Sequence, residues 1–270
     1  MNINNATFTT AKKAAILVKS VAGAEINASN LNITNVAEDK VNAVWVDEDA
    51  AAYYEKVIVD GCSMIIEGCA QVADQTDFAT AMSAGKSYIV LANGNYTLPG
   101  ASNKNITIIG SSDAVITINT PNMGGSTITF DGVTVKGSGY ATGVQHVNTV
   151  TYKNVTVIGE MCLYGENASF TNCTFELNKQ YIWVYGCKEA SFDKCTFNTN
   201  GKAILVYNEG AGANNVTVTN CTFNATDGAK AGAIANQNCA AIEIDNFQSS
   251  GVGVAHKVTS INNKVGEHFS

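Results

Sequence analysis

Phe170-Thr171-Asn172-Cys173-Thr174-Phe175 returns as Phe192-Asp193-Lys194-Cys195-Thr196-Phe197 and again as Val218-Thr219-Asn220-Cys221-Thr222-Phe223. Upstream the same phrase reads Phe130-Asp131-Gly132-Val133-Thr134-Val135 and Tyr152-Lys153-Asn154-Val155-Thr156-Val157. Ile244-Asp245-Asn246-Phe247 reads as a looser last copy, so the starts fall 22, 18, 22, 26 and 26 residues apart. Each copy is apolar, polar, a turn residue, small or apolar, Thr, then apolar.

A fixed phrase at such a period marks a structural repeat, and repeats of this length stack into solenoids. Short second strands follow the phrases, as in Ile182-Trp183-Val184-Tyr185, Ala203-Ile204-Leu205-Val206-Tyr207 and Ala233-Ile234-Ala235. Asn, Gly and Asp, which tolerate left-handed turns, fill the gaps. An α/β fold needs helical patterns of 10–15 residues between strands, and none is present. One coil of a parallel β-helix per repeat is the expected architecture, all-β and right-handed. The Asn before the small residue suits a left-handed corner, its amide bonding to the same position one coil away. Cys and Phe in register should form inward stacks. Triplets such as Asn154-Val155-Thr156 belong to this phrase and read as structural, not as glycosylation acceptors.

The chain of 270 residues carries 31 Asn and 26 Thr, which the phrase explains, and a net charge of −7. All 16 basic residues are Lys. A polyanion binder wants a basic face and bidentate Arg forks, so nucleic acid is not an expected partner. No apolar run is long enough to span a membrane, and the start shows no signal-peptide pattern. The eight Cys (Cys62, Cys69, Cys162, Cys173, Cys187, Cys195, Cys221, Cys239) show no CxxC or CxxxH spacing. Three recur at one point of the phrase, so they read as small buried hydrophobes, mostly reduced, in a protein first folded in a reducing compartment.

From Asp74 to Lys86 the sequence reads as a short amphipathic helix with Phe78, Ala81 and Met82 on one face. It leads into Tyr88-Ile89-Val90-Leu91-Ala92-Asn93-Gly94-Asn95-Tyr96-Thr97-Leu98. Helix, apolar strand, Gly turn and Asn-Tyr-Thr-Leu together resemble the N-terminal cap of right-handed β-helices of the pectin-lyase-like superfamily. The resemblance covers residues 71–258. It implies the fold far more than a function, because that superfamily holds lyases, hydrolases, esterases, phage tailspikes and adhesins.

Residues 1–70 repeat the end of the chain. Ala6-Thr7-Phe8-Thr9-Thr10 with Ala15-Ile16-Leu17-Val18 mirrors Cys195-Thr196-Phe197-Asn198-Thr199 with Ala203-Ile204-Leu205-Val206. Ala22-Gly23-Ala24 mirrors Ala211-Gly212-Ala213, and Val59-Asp60-Gly61-Cys62 mirrors Ile244-Asp245-Asn246-Phe247. The expected organisation is a partial, uncapped duplicate solenoid over 1–70 and a capped β-helix over 71–270. An uncapped β-edge invites pairing, so the 1–70 end is expected to dock on itself or on another structural protein, with a homotrimer one such assembly.

Glycan cleavage needs converging carboxylates, or a base beside a Ca²⁺ cluster. The superfamily's enzymes mostly add an Arg or a His segment to these. Here Arg is absent, and His146, His256 and His268 sit in none of those settings. The carboxylates of the repeats fall singly; Asp131 and Asp193 share a column with Lys153, Thr171 and Thr219 between and beyond them. Asp47-Glu48-Asp49 reads as a solvated loop. No catalytic residue, metal or cofactor is assigned, although Lys153 or Lys194 could serve a lyase as base.

One column is more telling: His146, Tyr164, Tyr185, Tyr207 and then Asn236, with Trp183 two residues before Tyr185. If Ile182 and Val184 face inward, period-2 alternation turns Trp183 and Tyr185 outward. Such a ladder could stack on a glycan, pack against another subunit, or stack only on itself. The expected function is a non-catalytic, surface-exposed structural or attachment solenoid, best placed as a phage virion component at the particle or cell surface, with polysaccharide a candidate ligand. A fragment of a secreted bacterial adhesin and a polysaccharide lyase or hydrolase are the alternatives.

Overall fold

The computed structural model describes residues 1–9, 14–19, 25–33, 42–60, 64–207, 214–226, 240–245, 255–267 and 269. They fall into two compact units, Met1–Cys69 and Ala70–Ser270, each with strands that pair in parallel. Among the described residues no helix is long and apolar enough to cross a membrane.

Among the described residues, the larger unit contains one short helix, Gln75–Ala84. The Asp74 carboxylate accepts the Thr76 and Asp77 N–H groups at 2.8 and 3.0 Å, and Gly85 at φ 68° closes the other end. Phe78, Ala81 and Met82 are buried and belong to the core of the unit, as the sequence predicts. Phe78 meets Tyr96 edge-on at 5.6 Å.

About nine coils follow in parallel columns. The first column carries the opening strand of each phrase, including Thr127–Asp131, Thr149–Lys153 and Asn215–Thr219. The second carries its closing strand, including Thr156–Ile158, Thr174–Leu177 and Thr196–Thr199. A third begins with the N-terminal parts of Met161–Thr171 and Ile182–Asp193 and continues through Ile204–Tyr207 and Ile242–Asp245.

The corner between the first and second columns is left-handed in every copy of the phrase, at Gly132, Asn154, Asn172, Lys194, Asn220 and Asn262, with φ between 53° and 74°. Asn tolerates this conformation because its short amide can bond locally. The amides form the expected ladder. Asn154 donates to Asp131 at 2.9 Å, Asn172 to Asn154 at 2.8 Å, and Asn262 to Asn220 at 2.7 Å. Lys194 interrupts it, and Asn220 turns instead to the Asp193 carboxylate at 2.9 Å.

Inside, the phrase's two aromatic positions make two stacks. Phe130, Tyr152, Phe170 and Phe192 follow one another at 5.1, 4.4 and 4.9 Å, with planes within 11°. Phe175, Phe197 and Phe223 follow at 4.3 and 4.7 Å. Between the stacks lie Cys173, Cys195 and Cys221, buried free thiols in consecutive coils.

The last copy of the repeat lies elsewhere than expected. Ile242–Asp245 pairs with Ile204–Tyr207 in the third column, so Ile244-Asp245 does not open a phrase. The last phrase is Ser260-Ile261-Asn262-Asn263-Lys264-Val265: Lys257–Ile261 pairs with Asn215–Thr219, and Lys264–Val265 with Thr222–Ala225. A single Ile-x-Ile-Asp alternation is compatible with either column; the neighbouring strand decides.

The smaller unit repeats this design. Asn2–Asn4, Ile26–Ser29 and Val57–Asp60 form one parallel sheet, and Ala14–Val18, Asn42–Val46 and Met64–Ile66 another. Asn5 and Asn30 are left-handed, and Asn30 donates to Asn5 at 3.2 Å. Val57–Asp60 lies in the column that leads to these corners, whereas Ile242–Asp245 does not, so the matching of 59–62 with 244–247 falls away. Residues 22–24, 211–213 and 233–236, also invoked above, lie outside the described residues.

Candidate functional site

In the third column Met161, Leu163, Ile182, Val184, Ile204 and Val206 are buried in the core, and the residues between them turn outward. Register therefore lines up Cys162, Trp183, Leu205 and Glu243 on the outer side of consecutive coils. The first three form a small hydrophobic cluster of their own, bordered by Tyr164, Tyr181, Tyr185 and Tyr207. Burial pushes the Cys162 thiol up to about 12.

Trp183 projects outward as alternation requires, yet only 8% of it is exposed. Tyr140, from a preceding turn, lies over it with ring centroids 5.6 Å apart, and Tyr185 packs edge-on at 4.9 Å. Tyr207 runs nearly parallel at 6.1 Å, and its carbonyl accepts the indole N–H at 3.1 Å. Trp183 is thus the floor of the cluster, and Tyr140, 73% exposed, is its outer surface.

The tyrosines do not form a regular stack. After Leu163 the register shifts, so Tyr164 sits beside Gly186 and Tyr185 is the extra residue of a bulge. Tyr164 and Tyr185 meet edge to face, 5.9 Å apart at 82°. The Tyr164 hydroxyl donates to the Ala141 carbonyl at 2.9 Å, and burial pushes its phenol up. Gly165 then takes φ 95°; a Cβ there would run into the Val147 carbonyl.

Beyond this bulge opens a groove of about 550 Å³. His146, Tyr164 and Tyr185 line it together with Gln145, Asn148, Glu166 and Lys188. His146 does not lie in a strand: it occupies a left-handed bend at φ 57°, just after Gln145 bridges to Asn122. Glu166 and Lys188 form an ion pair of 2.6 Å. Of the five residues singled out from sequence, His146, Tyr164 and Tyr185 thus share the groove, while Trp183 and Tyr207 form the cluster beside it. Asn236 lies outside the described residues.

A family described as the right-handed β-helix region matches residues 87–266. The chain belongs to this right-handed β-helix family. No curated protein and no solved structure matches it.

Elsewhere on the β-helix, the column of Asp131, Lys153, Thr171, Asp193 and Thr219 is in register as expected. Hydrogen bonds from Asn220 and Thr219, both at 2.9 Å, hold the Asp193 carboxyl below the usual carboxylate range. Lys194 stands 4.0 Å from the same carboxylate. Among the described residues no three His, Cys, Asp or Glu converge closely enough to hold a metal ion. At the far side of the Trp183 cluster, Lys202 pairs with Glu243 at 2.6 Å and stands 5.9 Å over the Tyr181 ring.

Sequence reading missed Gln145, Asn148, Glu166 and Lys188 in the groove, and Tyr140 and Tyr181 around Trp183. The signal for two of them was present: Tyr164-Gly165-Glu166 and Tyr185-Gly186-Cys187-Lys188 are copies of one Tyr-Gly segment one coil apart. Aromatic rings beside amides and a paired charge can hold the apolar face of a sugar while bonding its hydroxyls.

Proposed function

We propose that this β-helix is a non-catalytic attachment module, displayed on a surface, that holds a glycan in the groove at Tyr164 and Tyr185. The observation that carries this reading is the groove itself, with two tyrosines and a ring of side-chain amides and hydrogen-bonding ions along one flank of a rigid solenoid. Glycan recognition asks for such a mixture of aromatic surface and directional polar groups. A phage virion component, a fibre or decoration protein, fits as host. Its six described cysteines are free thiols, as suits a chain that folds under reducing conditions and leaves the cell as part of a particle. Within this reading the protein pairs with copies of itself or with another structural protein.

A glycan array probed with the intact protein and with Tyr185→Ala tests the reading. Binding by the intact protein that weakens at least tenfold in the variant, about 1.4 kcal/mol, supports it. Failure to bind any glycan overturns the attachment role, and release of reducing or unsaturated ends from a polysaccharide overturns the non-catalytic one. Neighbouring genes for capsid or tail proteins support the virion host; a leader and sorting signal favour an adhesin.

A further inference from the structure

We infer that the groove selects an electrically neutral, extended oligosaccharide, lying across the coils and parallel to the solenoid axis. This rests on the glycan-binding reading above and adds the ligand's charge and direction.

The charge follows from how the groove's ions are spent. Glu166 and Lys188 stand 2.6 Å apart, each the other's counterion. A uronate or sulfate on the ligand would have to draw Lys188 away and would then face the Glu166 carboxylate at close range. Anion sites are built differently, with cations left unpaired and usually with the two-pronged guanidinium of Arg. This chain has no Arg and a net charge of −7, so its overall field also repels polyanions. Beyond the pair the groove offers the His146 imidazole, the side-chain amides of Gln145 and Asn148 and the rings of Tyr164 and Tyr185.

The direction follows from register. His146 precedes the coil of Tyr164, and Tyr185 belongs to the coil after it, because Met161–Leu163 pair with Ile182–Val184. Neighbouring strands stand about 4.8 Å apart. The two ring centroids, 5.9 Å apart, therefore sit on successive coils, and a step from one to the other crosses from strand to strand. A ligand using both rings must cross the strands, with one sugar per coil.

Titration calorimetry on the full chain tests this, with mannan, xylan and dextran oligomers as neutral probes and oligogalacturonate, alginate and chondroitin sulfate as anionic ones. The expected result is a neutral binder whose affinity changes less than twofold between 50 and 500 mM NaCl, since screening acts on charges. Affinity should rise from disaccharide to trisaccharide and fall at least tenfold in Tyr185→Ala. Asn148→Ala, on the exposed rim, should weaken binding without touching the core. An anionic oligomer as the best ligand, losing tenfold with salt or in Lys188→Met, overturns the neutral assignment while leaving glycan binding intact. Affinity already at its plateau with a disaccharide overturns the axial direction. Binding of no probe at all overturns the glycan reading itself.

Discussion

The side-chain amide of Asn172 donates to Oδ1 of Asn154 in the preceding coil across 2.8 Å, and both residues are left-handed, at φ 54° and 53°. One residue type thus meets two demands of the corner, a positive φ and an inter-coil bond. Asn172→Ala should cost about 1–3 kcal/mol, because the backbone strain returns and the bond is lost. Asn172→Gly keeps the corner and should cost only the bond, about 1 kcal/mol. Urea unfolding of both variants measures the difference; equal losses would show that the conformation carries no weight.

Lys194 interrupts the same ladder. Lys194→Asn should restore it, since Asn172 lies on one side and Asn220 on the other, and should raise stability by about 0.5–1.5 kcal/mol. A higher urea midpoint with an unchanged slope is the expected signature.

Phe192 closes its stack, with Val218 beyond it, and is fully buried against Phe170, Phe175 and Phe197. Phe192→Ala should destabilise by about 3–5 kcal/mol, because the three rings around it lose a shared partner and a cavity remains. Thermal unfolding followed by circular dichroism is the check. Phe192→Leu should lose much less.

Burial pushes the Cys162 and Cys187 thiols from an ordinary value of 9.0 up to about 12. A folded value above the unfolded one means that the folded state retains its protons longer. The stability these groups contribute is whole below pH 9 and is lost as pH rises towards 12. Denaturant midpoints should therefore hold steady through neutral pH and fall above pH 9. At pH 8 iodoacetamide should leave both cysteines unmodified in the folded chain and label them in urea.

Tyr140 covers Trp183 without being buried itself. Tyr140→Ala should red-shift the tryptophan emission and raise its quenching by acrylamide, with a stability change of about 0.5 kcal/mol, as for a surface substitution. The second tryptophan, Trp45, lies in the smaller unit, and Trp45→Phe isolates the signal.

The coils, the capping helix and the left-handed corners were legible because each depends on a local pattern: alternation, a 3.6-residue face, an Asn before a small residue. What the sequence hid was relational. The inward partners of Trp183 follow from Ile182 and Val184, but its cover comes from Tyr140, 43 positions away and in an irregular turn. His146 fits the column by spacing and leaves it by backbone conformation. The groove depends on one extra residue, Tyr185, whose bulge no periodicity announces, and the misread Ile244 shows the same limit for strand pairing.

The corners recur at 132, 154, 172, 194, 220 and 262, so the chain between them varies from 18 to 42 residues while the pairing stays in step. Position along the flank is therefore quantised. A side chain can be moved relative to another only by whole coils, about 4.8 Å at a time. Excising residues 154–171 would join Lys153 to Asn172 and leave a valid phrase, Tyr-Lys-Asn-Cys-Thr-Phe, one step shorter. A solenoid of this kind is a ruler, graduated in units of its pitch.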